Sequence, residues 1–226
     1  MIKARGVHHI AFSTADMKGQ IEFFSDVLGM PLVAIFPMHG VPGGIHAFLE
    51  GSPQCQISFV QLPANADIEI EYGKTHAGSG SLPSAPGTLQ HLALVVESDD
   101  ELLAMRDRIR SRGVNVLGPI DHGMCRSMYF AGPEGLSLEI ATSDEAIDPK
   151  HWIDAEAAAE VGITQEMLEQ MAKPAAFERP AEPLPQPPYD PAKPHMLYPK
   201  ALYEQMLQMT DQQVWDATSF TEPPVK

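Results

Sequence analysis

Two stretches of this chain follow one plan, and that repetition limits the possible folds more than anything else in the sequence. "GVHHIAFSTADMKGQIEFFSDVLGMPLV" and "TLQHLALVVESDDELLAMRDRIRSRGVNVL" each open on an apolar strand, pass an acidic turn and enter an amphipathic helix. The turns carry Asp16 in the first copy and Asp99 and Asp100 in the second. Ile21, Phe24, Val27 and Leu28 make one apolar face; Leu102, Leu103, Met105 and Ile109 make the other. Gly29 and Gly113 end the helices. A short strand follows each, "PLVAIFP" or "VNVLGP". Two more strands close each copy, "HAFLEG" with "CQISFVQLP" and "SMYFAG" with "LSLEIAT", turned at "EGSPQ" and "AGPEG". Each copy therefore reads β-α-β-β-β. An offset of 82 residues relates His9 to His91 and Phe48 to Phe130.

A module of this size cannot bury both faces of its sheet. Two modules side by side make an α+β fold, a curved mixed sheet with helices outside and a cleft within. The repeat predicts one domain over residues 1–143, with modules at about 5–64 and 87–143. Residues 144–226 form a C-terminal extension. It reads helical over 144–173, with Thr164 as an N-cap. Nine prolines then exclude regular helix or central strand over 174–199. One more amphipathic helix is expected over 200–216. The extension is expected to pack along the core or a partner subunit through Trp152, Tyr189, Tyr198 and Trp215.

The formal charge of −15 argues against a nucleic-acid partner, because a polyanion would be repelled. No apolar run approaches the ~20 residues that span a bilayer, so no membrane association is expected. The start "MIKARGVHHIAF" lacks the apolar region and cleavage site of a secretory signal. Cys55 and Cys125 make no disulfide framework, which points to a reducing cytoplasm.

Side chains alternate across a strand. Val7, His9, Ala11 and Ser13 share one face of the first strand; Leu89, His91 and Ala93 share the matching face of the second. The bulkier apolar residues belong against the helices, so His9 and His91 look into the cleft. His8, like Gln90, looks away and reads as structural. In "LSLEIAT", Glu139 stands between Leu138 and Ile140, and a buried carboxylate there needs a cation or a donor. Two histidines and one carboxylate form the facial triad of non-heme Fe(II) sites, with open coordination positions. The position equivalent to Glu139 in the first module is Ile57 or Ser58. A register slip could instead present Gln56 or Gln61 as a fourth ligand. His39 and His46 flank "GVPGG" and edge the cleft. Cys125 reads as a packing residue.

With these residues in place, the chain resembles the vicinal oxygen chelate superfamily of glyoxalases, bleomycin-resistance proteins, epimerases and extradiol dioxygenases. The resemblance covers residues 5–142. "DHGMCRSMYFAGPEGLSLEIAT" is similar to the end of the ring-cleaving dioxygenases that act on hydroquinones and catechols. That resemblance implies a metal held by His9, His91 and Glu139, with Tyr129 lining the substrate pocket. His122 falls where the hydroquinone enzymes carry a basic residue, and Ala11 where they can offer a hydroxyl.

The resemblance implies an Fe(II)-dependent extradiol-type dioxygenase of aromatic catabolism, working as a homodimer on a small aromatic or enediol substrate and O2. Mn, Zn, Ni or Co could occupy the same ligands. His122 and Tyr129 would donate or relay protons. One alternative is a metal-dependent lyase, isomerase or epimerase of the glyoxalase type, which generally needs a further carboxylate or glutamine. Another is a metal-free protein that binds an aromatic compound.

Overall fold

The computed structural model describes residues 3–225. Strands β1 (His9–Thr14), β2 (Leu32–Pro37), β3 (Ile45–Ser52) and β4 (Cys55–Gln61) form the first sheet, in the order β1-β4-β3-β2. Strands β5 (Leu92–Val95), β6 (Leu117–Asp121), β7 (Arg126–Ala131) and β8 (Ser137–Thr142) form the second, in the order β5-β8-β7-β6. In each sheet the outer strand and its neighbour run parallel, and the remaining pairs are antiparallel hairpins. The two βαβββ modules of the sequence are therefore present, and the fold is α+β. They form two separate four-stranded sheets, with no strand pairing between them.

Helix α1 (Met17–Glu22) follows β1, with Asp16 Oδ1 accepting from the Gly19 amide at its N-terminus. It continues as a π turn over Phe23–Val27. Helix α2 (Asp99–Ser111) is capped by Ser98 and carries three acidic residues in its first turn, where the helix dipole favours them. Phe24, Val27, Leu28, Leu102 and Ile109 turn inward. They meet Ala47, Leu49, Ile57 and Phe59 from the first sheet and Met128, Phe130, Leu138 and Ile140 from the second, in one continuous core. Leu103, expected on the apolar face, instead points outward and is 37% exposed.

The modules meet on this helix-covered side. Arg108 of α2 donates to the carbonyls of Val27 and Asp26 (2.9 and 2.8 Å), capping the end of the first helix. Arg112 adds an ion pair to Asp26. At the other end, Glu134 in the β7–β8 turn accepts from the Thr14 hydroxyl, the Gln20 amide (2.8 Å) and the Ala15 backbone N–H (2.8 Å). Glu134 is the one non-glycine residue with positive φ among the described residues (51°). That conformation costs about 1–2 kcal/mol, and the hydrogen bonds offset it.

Burial alone would raise the Glu134 pKa. The bonds from Thr14, Gln20 and the amides of Ala15 and Asp16 outweigh burial and hold it below the usual carboxylate value. Its stabilisation is thus fully present above the unfolded-state pKa of about 4.3 and is lost as pH falls through the lower folded value. Glu134→Gln keeps the shape and removes the charge. It is expected to destabilise the protein by about 1–3 kcal/mol at neutral pH. In urea titrations, the wild-type and variant midpoints should converge in acid; equal midpoints at neutral pH would show that the clamp contributes nothing.

The chain divides into two compact units, 5–169 and a second comprising 170–225 with Lys3 and Ala4. Helices α3 (Pro149–Trp152), α4 (Ala155–Glu160) and α5 (Gln165–Ala172) follow β8, and Thr164 accepts from the Met167 amide as an N-cap. The proline-rich stretch carries no regular element. The single helix expected over 200–216 is instead two, α6 (Lys200–Leu207) and α7 (Asp211–Thr218). Thr210 and Gln213 form a capping box that starts α7 afresh. Tyr189, Tyr198, Tyr203 and His195 cluster within the second unit, whereas Trp152 packs over Gly123 in the first.

Candidate metal centre

Strand register fixes what each module presents on the face away from the helices. In the second module Ala93 lies opposite Glu139, Glu139 opposite Tyr129, and Tyr129 opposite Leu117. His91 precedes β5 on the same face. In the first module Ala11 lies opposite Ser58, Ser58 opposite Phe48, and Phe48 opposite Ala34, with His9 two residues before Ala11. Ser58 is therefore the counterpart of Glu139, and Phe48 that of Tyr129. The sequence offset, which paired Phe48 with Phe130, is out by one residue in the turns.

His91 and Glu139 come together, with Nε2 2.9 Å from Oε2. Glu139 is 5% exposed, set between Leu138 and Ile140, which bury themselves on the opposite face. Tyr129 lies opposite Glu139 across the strand pair; its hydroxyl meets His122 Nε2 (3.0 Å), and the Ser127 hydroxyl donates to it (3.3 Å). Burial, followed by the charge of Glu139, raises the Tyr129 pKa against the opposing bond from Ser127. The phenol thus stays a proton donor at neutral pH. His91, Glu139, Tyr129 and His122 form one polar line, and His91, Tyr129 and His122 border a cleft of about 800 Å³. Trp152 presses on Gly123, next to His122, and helps fix that turn.

His9 stands elsewhere. It packs edge-on to Phe48, with ring centroids 5.6 Å apart, and its Nδ1 meets His8 Nδ1 at 2.9 Å. His46, Phe36 and Phe48 form an aromatic patch beside it. Burial and the nearby His9 charge hold the His46 pKa below its ordinary value. Among the described residues, no three His, Cys, Asp or Glu side chains converge as a metal-binding group. One chain therefore joins His91 to Glu139 and leaves His9 apart, contrary to the expectation that strand symmetry alone would bring the two imidazoles together. The reason lies in the packing: the modules contact through their helices, and β1 and β5 are edge strands that do not pair with each other.

The possible fourth ligands are otherwise occupied. Ser58 is fully buried and its hydroxyl donates to the Ile10 carbonyl (3.1 Å). Gln61 Oε1 accepts from the Met17 amide (2.9 Å). Gln56 lies opposite His9 and donates to the Ser52 carbonyl. Sequence reasoning missed Gln90, which bonds His91; its position next to that histidine was the available signal.

The model of the Glyoxalase/Bleomycin resistance protein/Dioxygenase superfamily matches residues 6–140, which takes in nearly all of both modules. The chain belongs to this superfamily. MhqA of Bacillus subtilis (strain 168), named for ring-cleaving dioxygenase activity, is 29% identical over 154 residues, covering 65% of this chain and 46% of that protein. Biphenyl-2,3-diol 1,2-dioxygenase 2 of Rhodococcus globerulus is 28% identical over 106 residues, covering 45% and 54% respectively. The chain thus spans about half the length of these curated relatives. Solved structures of the superfamily type include a domain from Frankia sp. EAN1pec (TM-score 0.49, 13% identity), covering 62% of this chain and 99% of that one. The antibiotic-binding protein TnmS3 of Streptomyces sp. CB03234 also aligns (TM-score 0.45, 19% identity, covering 64% and 100%). Among the described residues no helix is long and apolar enough to cross a membrane.

Proposed function

We propose that this superfamily member is an Fe(II)-dependent, extradiol-type ring-cleaving dioxygenase for a catechol- or hydroquinone-like aromatic. It acts as a homodimer whose metal centres each join His91 and Glu139 to His9 of the partner subunit. The reading rests on one observation, the buried Glu139 carboxylate facing His91 Nε2 at 2.9 Å. Two adjacent ligands on bonds of about 2.1 Å at right angles stand about 3.0 Å apart, so the pair fits two neighbouring positions of a divalent ion. His9 holds the pseudo-equivalent place in the other module, on an edge strand open to a second copy. Val95 (85% exposed) and Leu117 (71% exposed) leave apolar surface on the open face for that copy to cover.

Three ligands favour a dioxygenase over a glyoxalase-type isomerase, because Ser58 stands where a fourth would come and is bonded to the backbone. The relatives named as ring-cleaving enzymes support the same choice. Ferrous iron would supply the electron path between a chelated diphenol and O2. Around it, Tyr129 orients the Glu139 carboxylate and offers a proton at its phenolic oxygen, with His122 in reach to replace it. The partner's Phe48 and Phe36 give an aromatic ring an apolar surface to lie against. Both atoms of O2 enter the ring-opened acid, so no outside reductant is consumed. The net charge and the free cysteines Cys55 and Cys125 support a cytoplasmic enzyme without a nucleic-acid partner.

The test is protein purified without oxygen, loaded with iron and mixed with catechols and hydroquinones while oxygen uptake and product absorbance are followed. Uptake of one O2 per ring opened is expected. Isomerase turnover with a bound metal, or aromatic binding with no metal, would overturn the proposal in favour of the other two superfamily roles.

A further inference from the structure

We propose that Gln90 is a positioning residue that ties the cleft wall at residues 78–81 to the imidazole of His91. Both ends of its amide are engaged. Nε2 donates to the Ser79 carbonyl at 3.0 Å, which fixes the amide orientation and aims Oε1 at His91 Nδ1. An amide oxygen only accepts, so Gln90 holds the His91 proton on Nδ1 when a metal takes the Nε2 lone pair; without metal, the Glu139 carboxylate 2.9 Å from Nε2 competes for that proton.

The wall is held at a second point. Tyr72 packs so closely on Gly78 that a Cβ there would lie 2.6 Å from Cδ1, and the Tyr72 hydroxyl reaches over Gly135. Gly78, Ser79, Gly80 and Ser81 border the same cleft as His91, Tyr129 and His122. Tyr72 therefore anchors the start of the glycine-serine wall, and Gln90 links its middle to the candidate ligand. The first module repeats half of this device. The residue before its histidine, His8, likewise reaches the Nδ1 of His9, at 2.9 Å. His8 and Gln90 both lie just before the strands, and each places a side-chain atom at the Nδ1 of the histidine that follows, which leaves that histidine's Nε2 as the nitrogen for coordination.

The metal part of this inference rests on the proposed function; the tautomer and wall parts do not. The experiment uses the full-length protein and two variants, with Co(II) as the metal probe. Gln90→Leu removes both bonds. Gln90→Glu retains an acceptor for His91 and, when ionised, loses the donor to Ser79. In metal-free protein at alkaline pH, nitrogen-15 spectra should show a larger share of the Nδ1-protonated His91 tautomer in the wild type and in Gln90→Glu than in Gln90→Leu. Hydrogen exchange at residues 78–81 should quicken in both variants. Co(II) affinity should fall about 10- to 100-fold in Gln90→Leu and be restored in Gln90→Glu. Unchanged tautomer and exchange in Gln90→Leu would overturn the proposal. If the wild type takes up no Co(II), the metal reading fails, while the spectra and exchange rates still decide the role of Gln90.

Discussion

Replacing Glu139 with Gln is expected to abolish iron retention and oxygen uptake while leaving the fold intact. The two side chains have nearly the same shape, and the flanking Leu138 and Ile140 are fully committed to the core, so packing barely changes. The charge is what differs. A divalent ion bound by two imidazoles and one carboxylate loses its only anionic protein ligand, and its affinity should fall by more than the ~100-fold that an outer-shell change can cost. Thermal melts provide the decisive contrast. Without metal, the variant should still fold, with a stability change set by neutralising a buried carboxylate against weakening its pairing with His91. With metal at about 100 times its dissociation constant, the wild type should gain about 2.7 kcal/mol and the variant none. An equal metal-dependent gain in both proteins would remove Glu139 from the ligand set.

His9→Ala should cause the same loss, although His9 touches neither His91 nor Glu139 in the chain. The side chain is exposed on an edge strand and packs against Phe48 and His8. A purely local role predicts a stability change within about 0.5 kcal/mol and no effect on metal. A ligand completing the partner's centre predicts normal folding, normal dimerisation and iron content near background. Iron analysis beside sedimentation of the same sample separates the two outcomes. Retained iron in a dimeric His9→Ala protein would place the third ligand elsewhere.

The modules were legible because hydrophobic period and glycine punctuation are local signals, and the chain states them twice. The pairing of His91 with Glu139 was legible for a related reason: alternation puts both on one face, and a carboxylate flanked by Leu138 and Ile140 has to find a partner. Other features depend on packing between elements. Arg108 and Arg112 draw the second module onto the end of the first helix, and Glu134 fastens the other end. Both are contacts over more than 80 residues, with nothing in the local pattern to announce them. They hold the modules helix to helix and so keep His9 away from His91. The break between α6 and α7 was hidden likewise, since Thr210 and Gln213 form a start signal inside an otherwise continuous amphipathic pattern. The match of Phe48 to Tyr129 required the strand register, which turns of unequal length shift by one residue.

Mixing two inactive proteins tests the shared centre most directly. His9→Ala chains keep an intact second module, and Glu139→Gln chains keep an intact first one. If each centre spans two copies, a mixed dimer rebuilds one complete site from the two healthy halves. After co-refolding in equal amounts, half the dimers are mixed and each carries one good site of two, so iron content and oxygen uptake should recover to about a quarter of wild type. If the mixture stays as inactive as its components while heterodimers are present, the centre does not span the dimer and the proposed assembly is wrong.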